Sequence, residues 1–314
     1  MIRKLLARIR KIVPVNYIVR NVIRSMQRSS FALRKRWPVS GTIKGHYDGI
    51  DFKIYNRCDD TQAYYYYYGM HYHEFKILGL MCAFSKRSKQ IMDIGANTGL
   101  HSIIVSKKCP DIKIYAIEPY PANITRLEQN LNMNSCTNVE IKKVALGETE
   151  DTITFYVPDD NSVSDVSSAV KDHGGRIYDR VHWKKTEVPQ TTLDKLSTEV
   201  GQIDFFKCDV ESYEINMFRG SMNFFAANRP PFLVEISLDE DKVAFFNEFA
   251  VKFGYNIYFV GEEGLVRMDK LYDFDVWPNF LFSQYKSEHN FIPYKYMDEF
   301  VEKTLSTQHD PYKR

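Results

Sequence analysis

Short apolar runs alternate with stretches of helical period from about residue 90 to residue 285. Seven of these runs are predicted strands: Gln90–Ile94, Lys113–Glu118, Val139–Val144, Ile203–Asp209, Phe232–Ile236, Tyr255–Val260 and Phe280–Ser283. Helices are predicted between them, near 99–107, 122–132, 213–218 and 242–253. Regular alternation of strand and helix indicates a mostly parallel sheet covered by helices on both faces.

Three further segments have clear local signals. Residues 41–57 read as a hairpin, because Asp48-Gly49 is a strong two-residue turn between two strand patterns. A helix is predicted over 72–84, and Thr152–Val157 is predicted as an extra strand. The polar stretch 161–183 is expected to be a long loop, in which Ser167 and Ser168 could close over a ligand.

The chain has 314 residues, enough for one large domain with a full core. Residues 1–40 carry 11 Lys or Arg and no acid, whereas the remainder has 31 basic and 40 acidic residues, a net charge of −9. We divide the chain into a basic amphipathic N-terminal arm (1–40), a hairpin and helical cap (41–88), a principal domain (89–290) and a C-terminal helix and tail (291–314).

The arm has apolar stripes separated from its arginines, a pattern typical of helices that bind a membrane surface. A helix packed on the domain, a partner-binding helix and a targeting segment are the alternatives. No apolar run reaches the roughly 18 residues of a membrane span, and five cysteines without metal-ligand spacing favour free thiols. The expected location is the cytoplasm, with peripheral contact at the inner face of a membrane if the arm binds lipid.

Deleting residues 1–36 tests the membrane interpretation, because that segment contains all 11 basic residues of the arm. The full chain should sediment with vesicles that contain anionic lipid, and the truncated chain should stay in the supernatant. Vesicles of neutral lipid are the control. Equal sedimentation of the two chains would refute the anchor.

A glycine-bearing loop follows the first predicted strand. Asp93 ends the strand, Gly95 and Gly99 lie in the turn, and a helix opens at Leu100, so a ligand could approach bare backbone and unpaired N–H groups. Nineteen residues after Gly99, Glu118 ends the next strand, where an acid can bind ribose hydroxyls. The spacing departs from the dinucleotide pattern G-x-G-x-x-G. S-adenosylmethionine, with a nucleoside at one end and a zwitterionic amino acid at the other, fits better.

Several ordered motifs carry a resemblance to a known family. They are Met92–Gly99, Ala116–Pro119, Ala145–Glu148, Thr192–Asp194, Ile203–Glu211 and Leu233–Ser237. On these residues the chain resembles the FkbM-type methyltransferases, a class I S-adenosylmethionine-dependent family, over about residues 70 to 285. Two positions depart from the family pattern: Ser212 stands where glycine usually follows Asp-Val-Glu, and His101 stands after Gly99 where the residue is usually apolar or aromatic.

The resemblance implies an α/β, Rossmann-like class I methyltransferase fold. Its sheet would have seven strands, mostly parallel with one antiparallel strand, and helices on both faces. The resemblance also implies methyl transfer from S-adenosyl-L-methionine, usually to oxygen on sugars or secondary metabolites. The expected partner is therefore a small-molecule or saccharide acceptor.

The predicted cofactor-binding residues lie in the glycine loop, at strand ends and in the preceding helix: Glu74, Asp93, Gly95, Ala96, Asn97, Gly99, Ser102, Glu118, Pro119, Ala145 and Asp209. The backbone of Gly95 and Ala96 would meet the amino-acid part of the cofactor. Glu118 would hold the ribose, and the backbone of Ala145 would lie beside the adenine.

The predicted catalytic residues are Asp209, Glu211, Glu235 and His101. Asp209 would position or deprotonate an acceptor hydroxyl, and a general base is worth about 10²–10⁴-fold in rate. The alternative for Asp209 is a structural ion pair with Lys207. Glu235 is a carboxylate in an otherwise apolar strand, where a buried acid needs a partner.

Several other interpretations stay open. His71, His73 and His289 are alternative bases, and a divalent metal on the three acids is a weaker alternative, so no metal site is predicted. An NAD-dependent oxidoreductase is disfavoured by the glycine spacing. An RNA methyltransferase or a nucleic-acid-binding module could use the basic arm, but the acidic body disfavours a large polyanion as partner.

Overall fold

The structure is a computed structural model that describes residues 40–57, 72–158, 168–169, 183–272 and 278–308, together with Ile18 and Val22. The arm is otherwise outside this part of the chain, as are the side chain of Glu74 and most of the predicted loop at 161–183. Within the described ranges, no helix is both long and apolar enough to cross a bilayer. The four cysteines of the described part are free thiols.

Strands and helices alternate as the sequence predicts. The described strands are β1 (Ser40–Tyr47), β2 (Ile50–Arg57), β3 (Gln90–Ile94), β4 (Lys113–Ile117), β5 (Val139–Lys142), β6 (Ala145–Leu146), β7 (Asp151–Pro158), β8 (Trp183–Thr191), β9 (Phe205–Cys208), β10 (Phe232–Glu235), β11 (Asn256–Val260), β12 (Gly264–Met268), β13 (Asn279–Ser283) and β14 (Phe291–Pro293). The described helices are α1 (Tyr72–Ser85), α2 (Leu100–Lys108), α3 (Pro121–Met133), α4 (Leu193–Val200), α5 (Glu214–Arg219), α6 (Met222–Ala227), α7 (Glu240–Phe253) and α8 (Met297–Gln308), with a 3₁₀ turn at Tyr294–Tyr296.

The large sheet has the order β14-β12-β11-β13-β10-β9-β3-β4-β5. The seven predicted strands lie side by side from β11 to β5, and β13 runs antiparallel to both of its neighbours, as the class I resemblance implies. The predicted number of strands is wrong, because β12 and β14 add two antiparallel strands beyond β11 and make nine in the described sheet. β12 is short, and Arg267 interrupts its apolar pattern, so the sequence signal for this strand is weak.

Both faces of the sheet are buried, which explains the near-continuous apolar runs of its parallel strands. Alternate residues point to opposite faces. Ile91 and Phe205 pack with α1 and α2 in one core cluster, whereas Met92 and Phe206 pack with α5, α6 and α7 in another. Phe206 stacks on Phe232 of the neighbouring strand with ring centroids 5.0 Å apart.

The N-terminal hairpin is confirmed, with Asp48 and Gly49 as its two-residue turn at φ values of 42° and 80°. Its second strand docks on α3 through side-chain amides. The backbone N–H of Tyr55 donates to Asn130 Oδ1 at 2.9 Å, and that of Lys53 donates to Asn134 Oδ1 at 2.8 Å. These side-chain amides hydrogen-bond to the backbone of β2. Apolar residues of the hairpin pack in the same core cluster as those of α1 and α2.

The predicted strand at 152–157 is confirmed as β7, in a separate sheet of order β6-β8-β7. β8 and α4 were not predicted from the sequence. The helix has a recognisable start, because the Thr192 hydroxyl accepts a hydrogen bond from the N–H of Lys195 at 3.0 Å. Leu193, Leu196 and Val200 form its buried stripe.

Candidate functional site

Four parallel strands end together at one edge of the sheet. Ile94 of β3 is in register with Ile117 of β4 and with Cys208 of β9, and Cys208 is in register with Val234 of β10. The glycine loop and the acids that follow these strands therefore come to one edge, although they are far apart in the chain. Ligands of open α/β sheets bind at such carboxyl edges.

The glycine loop packs closely against the ends of the neighbouring strands β4 and β9. Gly95 has a φ of +77°, and a Cβ there would lie 1.8 Å from the carbonyl oxygen of Asp209. The N–H groups of Gly95 and Ala96 both donate to the carbonyl of Ile117, each at 3.0 Å. The bare backbone of Gly95 therefore serves the contact between two strand ends, and the contact of the Gly95 and Ala96 backbone with the cofactor stays a prediction.

Gly99 serves helix packing in the same way. Its φ is +93°, and a Cβ would lie 2.3 Å from Cδ1 of Leu127 in α3. Its N–H donates to the carbonyl of Ala96 at 2.9 Å. Glycine at this position lets α3 approach the start of α2 closely.

Glu118 lies beside this loop, directly after β4. Its Oε2 accepts a hydrogen bond from the N–H of Asn97 at 2.9 Å, its Oε1 accepts one from the N–H of Tyr120 at 2.9 Å, and the amide of Asn123 donates to Oε1 at 3.4 Å. Burial raises the pKa of the Glu118 carboxyl to about 7, although these bonds favour the ionised form. The ribose contact itself stays a prediction.

A buried lysine joins the two aspartates of the site. Lys207 Nζ lies 3.1 Å from Asp209 Oδ2, 3.8 Å from Asp93 Oδ1 and 3.4 Å from the carbonyl oxygen of Gly95. Ser102 Oγ donates to Asp93 Oδ2 at 2.6 Å, so this predicted cofactor residue acts on the site through Asp93. The structural ion pair considered for Asp209 is therefore present, yet the Asp209 side chain is 22% exposed, against 0% for Asp93.

The turn after β9 has an unusual backbone. Glu211 and Ser212 follow one another with φ values of 53° and 73°, in the left-handed region that favours glycine. Ser168 of the long loop reaches this turn, because its Oγ donates to the carbonyl of Glu211 at 2.5 Å while its backbone bridges to Tyr156. The described part of the loop therefore lies against the end of β9.

The other predicted residues lie around the same edge at different depths. Glu235 ends β10 and is half-buried, and Pro119 is half-buried after Glu118. Ala145 is buried in β6, in register with Gln190. His101 is buried in the first turn of α2. The catalytic and cofactor roles of all four stay predictions.

A polar cluster at the ends of β9 and β10 was not predicted from the sequence. Lys242 Nζ donates to Ser237 Oγ at 2.5 Å and lies 3.5 Å from Glu214 Oε2, and Ser237 Oγ lies 3.2 Å from Ser212 Oγ. Burial raises the pKa of Glu214 to about 7. The only sequence signal was the serine at position 212, where the family pattern usually has glycine.

The site is identified by converging polar groups rather than by the size of a cavity. Within the described ranges, no three His, Cys, Asp or Glu side chains are arranged to hold a metal ion. A cavity of about 500 Å³, lined in part by Tyr285, Phe291 and Tyr296, lies beyond the end of the antiparallel strand β13. That is the opposite edge of the sheet from Glu118 and Asp209.

Comparison with known proteins gives one family and several distant relatives. The family model described as "Methyltransferase FkbM domain" matches residues 93–292. Methyltransferase 1 of Beauveria bassiana (strain ARSEF 2860) is 26% identical over 143 residues, which are 41% of this chain and 57% of that protein. Methyltransferase sdnD of Sordaria araneosa is 26% identical over 156 residues, 41% of this chain and 59% of that protein. The chain thus spans less than two thirds of either relative.

Solved structures give weaker likenesses. The FkbM methyltransferase of Methylobacillus flagellatus KT is 15% identical with a TM-score of 0.40, over 71% of this chain and 55% of that one. TYW2 of M. jannaschii, in complex with AdoMet, is 13% identical with a TM-score of 0.38, over 77% of this chain and 85% of that one.

Proposed function

Because the chain belongs to the FkbM family of methyltransferases, we propose that it transfers a methyl group from S-adenosylmethionine to a hydroxyl oxygen of a saccharide or glycolipid. The observation that carries the proposal is the Glu118 carboxylate, which is bonded to the N–H of Asn97 in the glycine loop at the end of β4. This hydrogen bond joins Glu118, the residue predicted to bind the ribose, to the loop that is predicted to bind the amino-acid part of the cofactor.

The residues present fit that cofactor. Each carboxylate oxygen has two acceptor lone pairs, so Glu118, which accepts bonds from Asn97, Tyr120 and Asn123, keeps one acceptor position on Oε2 for a ribose hydroxyl. Asp93, Asp209 and Lys207 together carry a net charge of −1 when both acids are ionised, which suits a sulfonium cation. When bound, S-adenosylmethionine supplies an electrophilic methyl group on its sulfonium.

Asp209 is the residue that we assign to the acceptor hydroxyl. Lys207 orients its carboxylate from the buried side at 3.1 Å, and the exposed part of the side chain is available to a substrate. Asp209 would accept the proton of the hydroxyl as the oxygen attacks, while the strand ends hold the reacting atoms in line. Glu235, Glu211 and His101 are the alternatives.

The test is transfer of a trideuteromethyl group from labelled S-adenosylmethionine to cell extracts, followed by mass spectrometry. We expect label in the glycan or glycolipid fraction and none in RNA. Asp209→Asn should lower kcat at least about 10²-fold, with S-adenosylhomocysteine binding nearly unchanged.

Asp241→Asn, an exposed change on α7, is the matched control for Asp209→Asn. Label in RNA alone would overturn the saccharide proposal in favour of the RNA methyltransferase that the basic arm suggests. An unchanged kcat in Asp209→Asn would transfer the base role to one of the alternative residues.

A further inference from the structure

A chain of hydrogen-bonding groups runs from the interior to the carboxyl edge of the sheet and ends three residues after Asp209 in the sequence. Its inner end is the ammonium of Lys242, whose side chain is 8% exposed, and its outer end is the half-buried hydroxyl of Ser212. Ser237 connects the two, 2.5 Å from Lys242 Nζ and 3.2 Å from Ser212 Oγ. Two tips of adjacent strands, β9 and β10, therefore share one polar contact.

Glu214 fixes both ends of this chain. Its Oε2 lies 3.5 Å from Lys242 Nζ, and its Oε1 accepts a hydrogen bond from the N–H of Ser212 at 2.9 Å. Asp239 lies 3.8 Å from the same ammonium and accepts a bond from the N–H of Lys242 at 2.8 Å, as the N-cap of α7. The ammonium is therefore held in place by two acids.

The direction of donation follows from the chemistry of the groups. An ammonium can only donate, so Ser237 Oγ accepts the bond from Lys242. A hydroxyl that accepts from a cation becomes a better donor, which favours donation from Ser237 to Ser212 across the second contact. The hydrogen of the Ser212 hydroxyl is then the last in the chain and is available to a ligand at the edge.

The backbone at Ser212 has an energetic cost that glycine would not have. Its φ of 73° lies in the left-handed region, directly after Glu211 at 53°. Strained conformations of this kind cluster at functional sites, where the side chain has a use. Among the residues that the structure describes, the Ser212 hydroxyl hydrogen-bonds to Ser237 alone, and through it to Lys242.

We infer that Ser212 binds the acceptor by donating a hydrogen bond to an oxygen next to the one that is methylated. The inference rests on the proposed function and adds a residue that recognises its acceptor. Asp209 would take the proton of the reacting hydroxyl, whereas Ser212, three residues further along the chain, would donate a hydrogen bond to a neighbouring oxygen. Adjacent oxygens of this kind occur in the sugar ring that the proposed function requires, and Ser237 and Lys242 are positioning residues behind Ser212.

The experiment compares Ser212→Ala, Ser212→Gly and Ser237→Ala with the unaltered chain. The assay uses trideuteromethyl S-adenosylmethionine and the glycan or glycolipid fraction that the unaltered chain labels. Both Ser212 variants should raise KM for the acceptor about tenfold or more, the scale of one lost hydrogen bond of this kind, with kcat within about threefold. Ser237→Ala should raise KM by a smaller factor, and binding of S-adenosylhomocysteine should not change in any variant.

Ser135→Gly is the matched control, because Ser135 is exposed, has a φ of 56° and lies after α3, away from β9. Like Ser212→Gly, it should leave the melting temperature unchanged or raise it relative to the unaltered chain. Unlike Ser212→Gly, it should leave KM for the acceptor unaltered. A normal KM in both Ser212 variants would overturn this inference and leave the proposed function standing. A raised KM in Ser212→Ala with a normal KM in Ser212→Gly would also overturn it, because the backbone conformation and not the hydroxyl would then be what matters. Failure of the unaltered chain to transfer label to any fraction would overturn the proposed function and this inference together.

Discussion

Glu118→Ala should weaken binding of S-adenosylhomocysteine by roughly 1.5–3 kcal/mol, or about 10- to 150-fold, the scale of hydrogen bonds to a charged group. Removing the carboxylate takes away the proposed ribose ligand. It also leaves the N–H groups of Asn97 and Tyr120 without their acceptor. The variant should therefore be less stable as well, and calorimetric titration of the folded fraction measures the binding loss.

Two further variants separate these effects. Glu118→Gln keeps the shape of the side chain and one acceptor oxygen but removes the charge, so it should lose affinity with less loss of stability. Glu248→Ala removes an exposed carboxylate on α7 and should change neither quantity. Equal affinity of Glu118→Ala and Glu248→Ala for S-adenosylhomocysteine would show that Glu118 does not bind the cofactor.

The pH dependence of S-adenosylhomocysteine binding provides a second test of Glu118. Burial raises the pKa of Glu118 from 4.5 to about 7 in the folded chain, so the ionised form that accepts ribose bonds is lost as pH falls below 7. Affinity for S-adenosylhomocysteine should then fall by at most about tenfold per pH unit below that pKa, until it reaches the affinity of Glu118→Ala. The Glu118→Gln variant should show a flat profile over the same range.

The stability of the free protein should change in the opposite direction. Between pH 4.5 and 7 the folded chain retains a proton on Glu118 that the unfolded chain releases, so stability falls as pH rises through this window. Glu214, whose pKa is also raised to about 7, contributes with the same sign. Affinity measurements therefore isolate Glu118, whereas unfolding measurements report both carboxyls.

Gly95→Ala should be the most damaging single methyl addition at the site, with an expected loss of about 3–5 kcal/mol in the free energy of unfolding. The new Cβ would lie 1.8 Å from the carbonyl oxygen of Asp209, which is backbone and cannot rotate away. The φ of +77° adds a separate conformational cost. Urea unfolding of the purified variant measures the loss.

Gly254→Ala provides the matched control. Gly254 has a φ of +72° at the end of α7, but a Cβ there would have no atom within 4 Å, so only the conformational cost of about 1–2 kcal/mol applies. The difference between the two variants measures the close approach of the two strand ends. Equal losses would mean that the Asp209 carbonyl is not pressed against Gly95.

Much of the fold could be predicted from the sequence, because its signals are local. Most of the seven predicted strands are apolar runs, as a sheet that is buried on both faces requires, and Asp48-Gly49 specifies its turn by backbone preference alone. β12 and β14 were missed because short edge strands with mixed polarity carry little pattern. β12 pairs with the edge of β11 that β13 leaves open, and β14 pairs with β12.

The edge of the candidate site was predictable for a related reason. Asp93, Glu118 and Asp209 each end or directly follow an apolar run, and the carboxyl ends of parallel strands meet at one edge whatever the sequence separation between them. The side chains that contact these acids were harder to predict from the sequence. The sequence left Asp209 open between a base and an ion pair with Lys207, and only the structure shows that Lys207 lies between two acids.

The sequence by itself determined the order of strands and helices, the edge at which their polar ends converge and the family to which the chain belongs. Tertiary structure decided which atoms press on Gly95 and Gly99, which acids share Lys207, and how Lys242 reaches Ser212 through Ser237. The physical reason is range. Strand, turn and helix preferences act between near neighbours in the chain, whereas a close backbone contact or a buried ion pair depends on residues that only the packed sheet brings within a few ångströms.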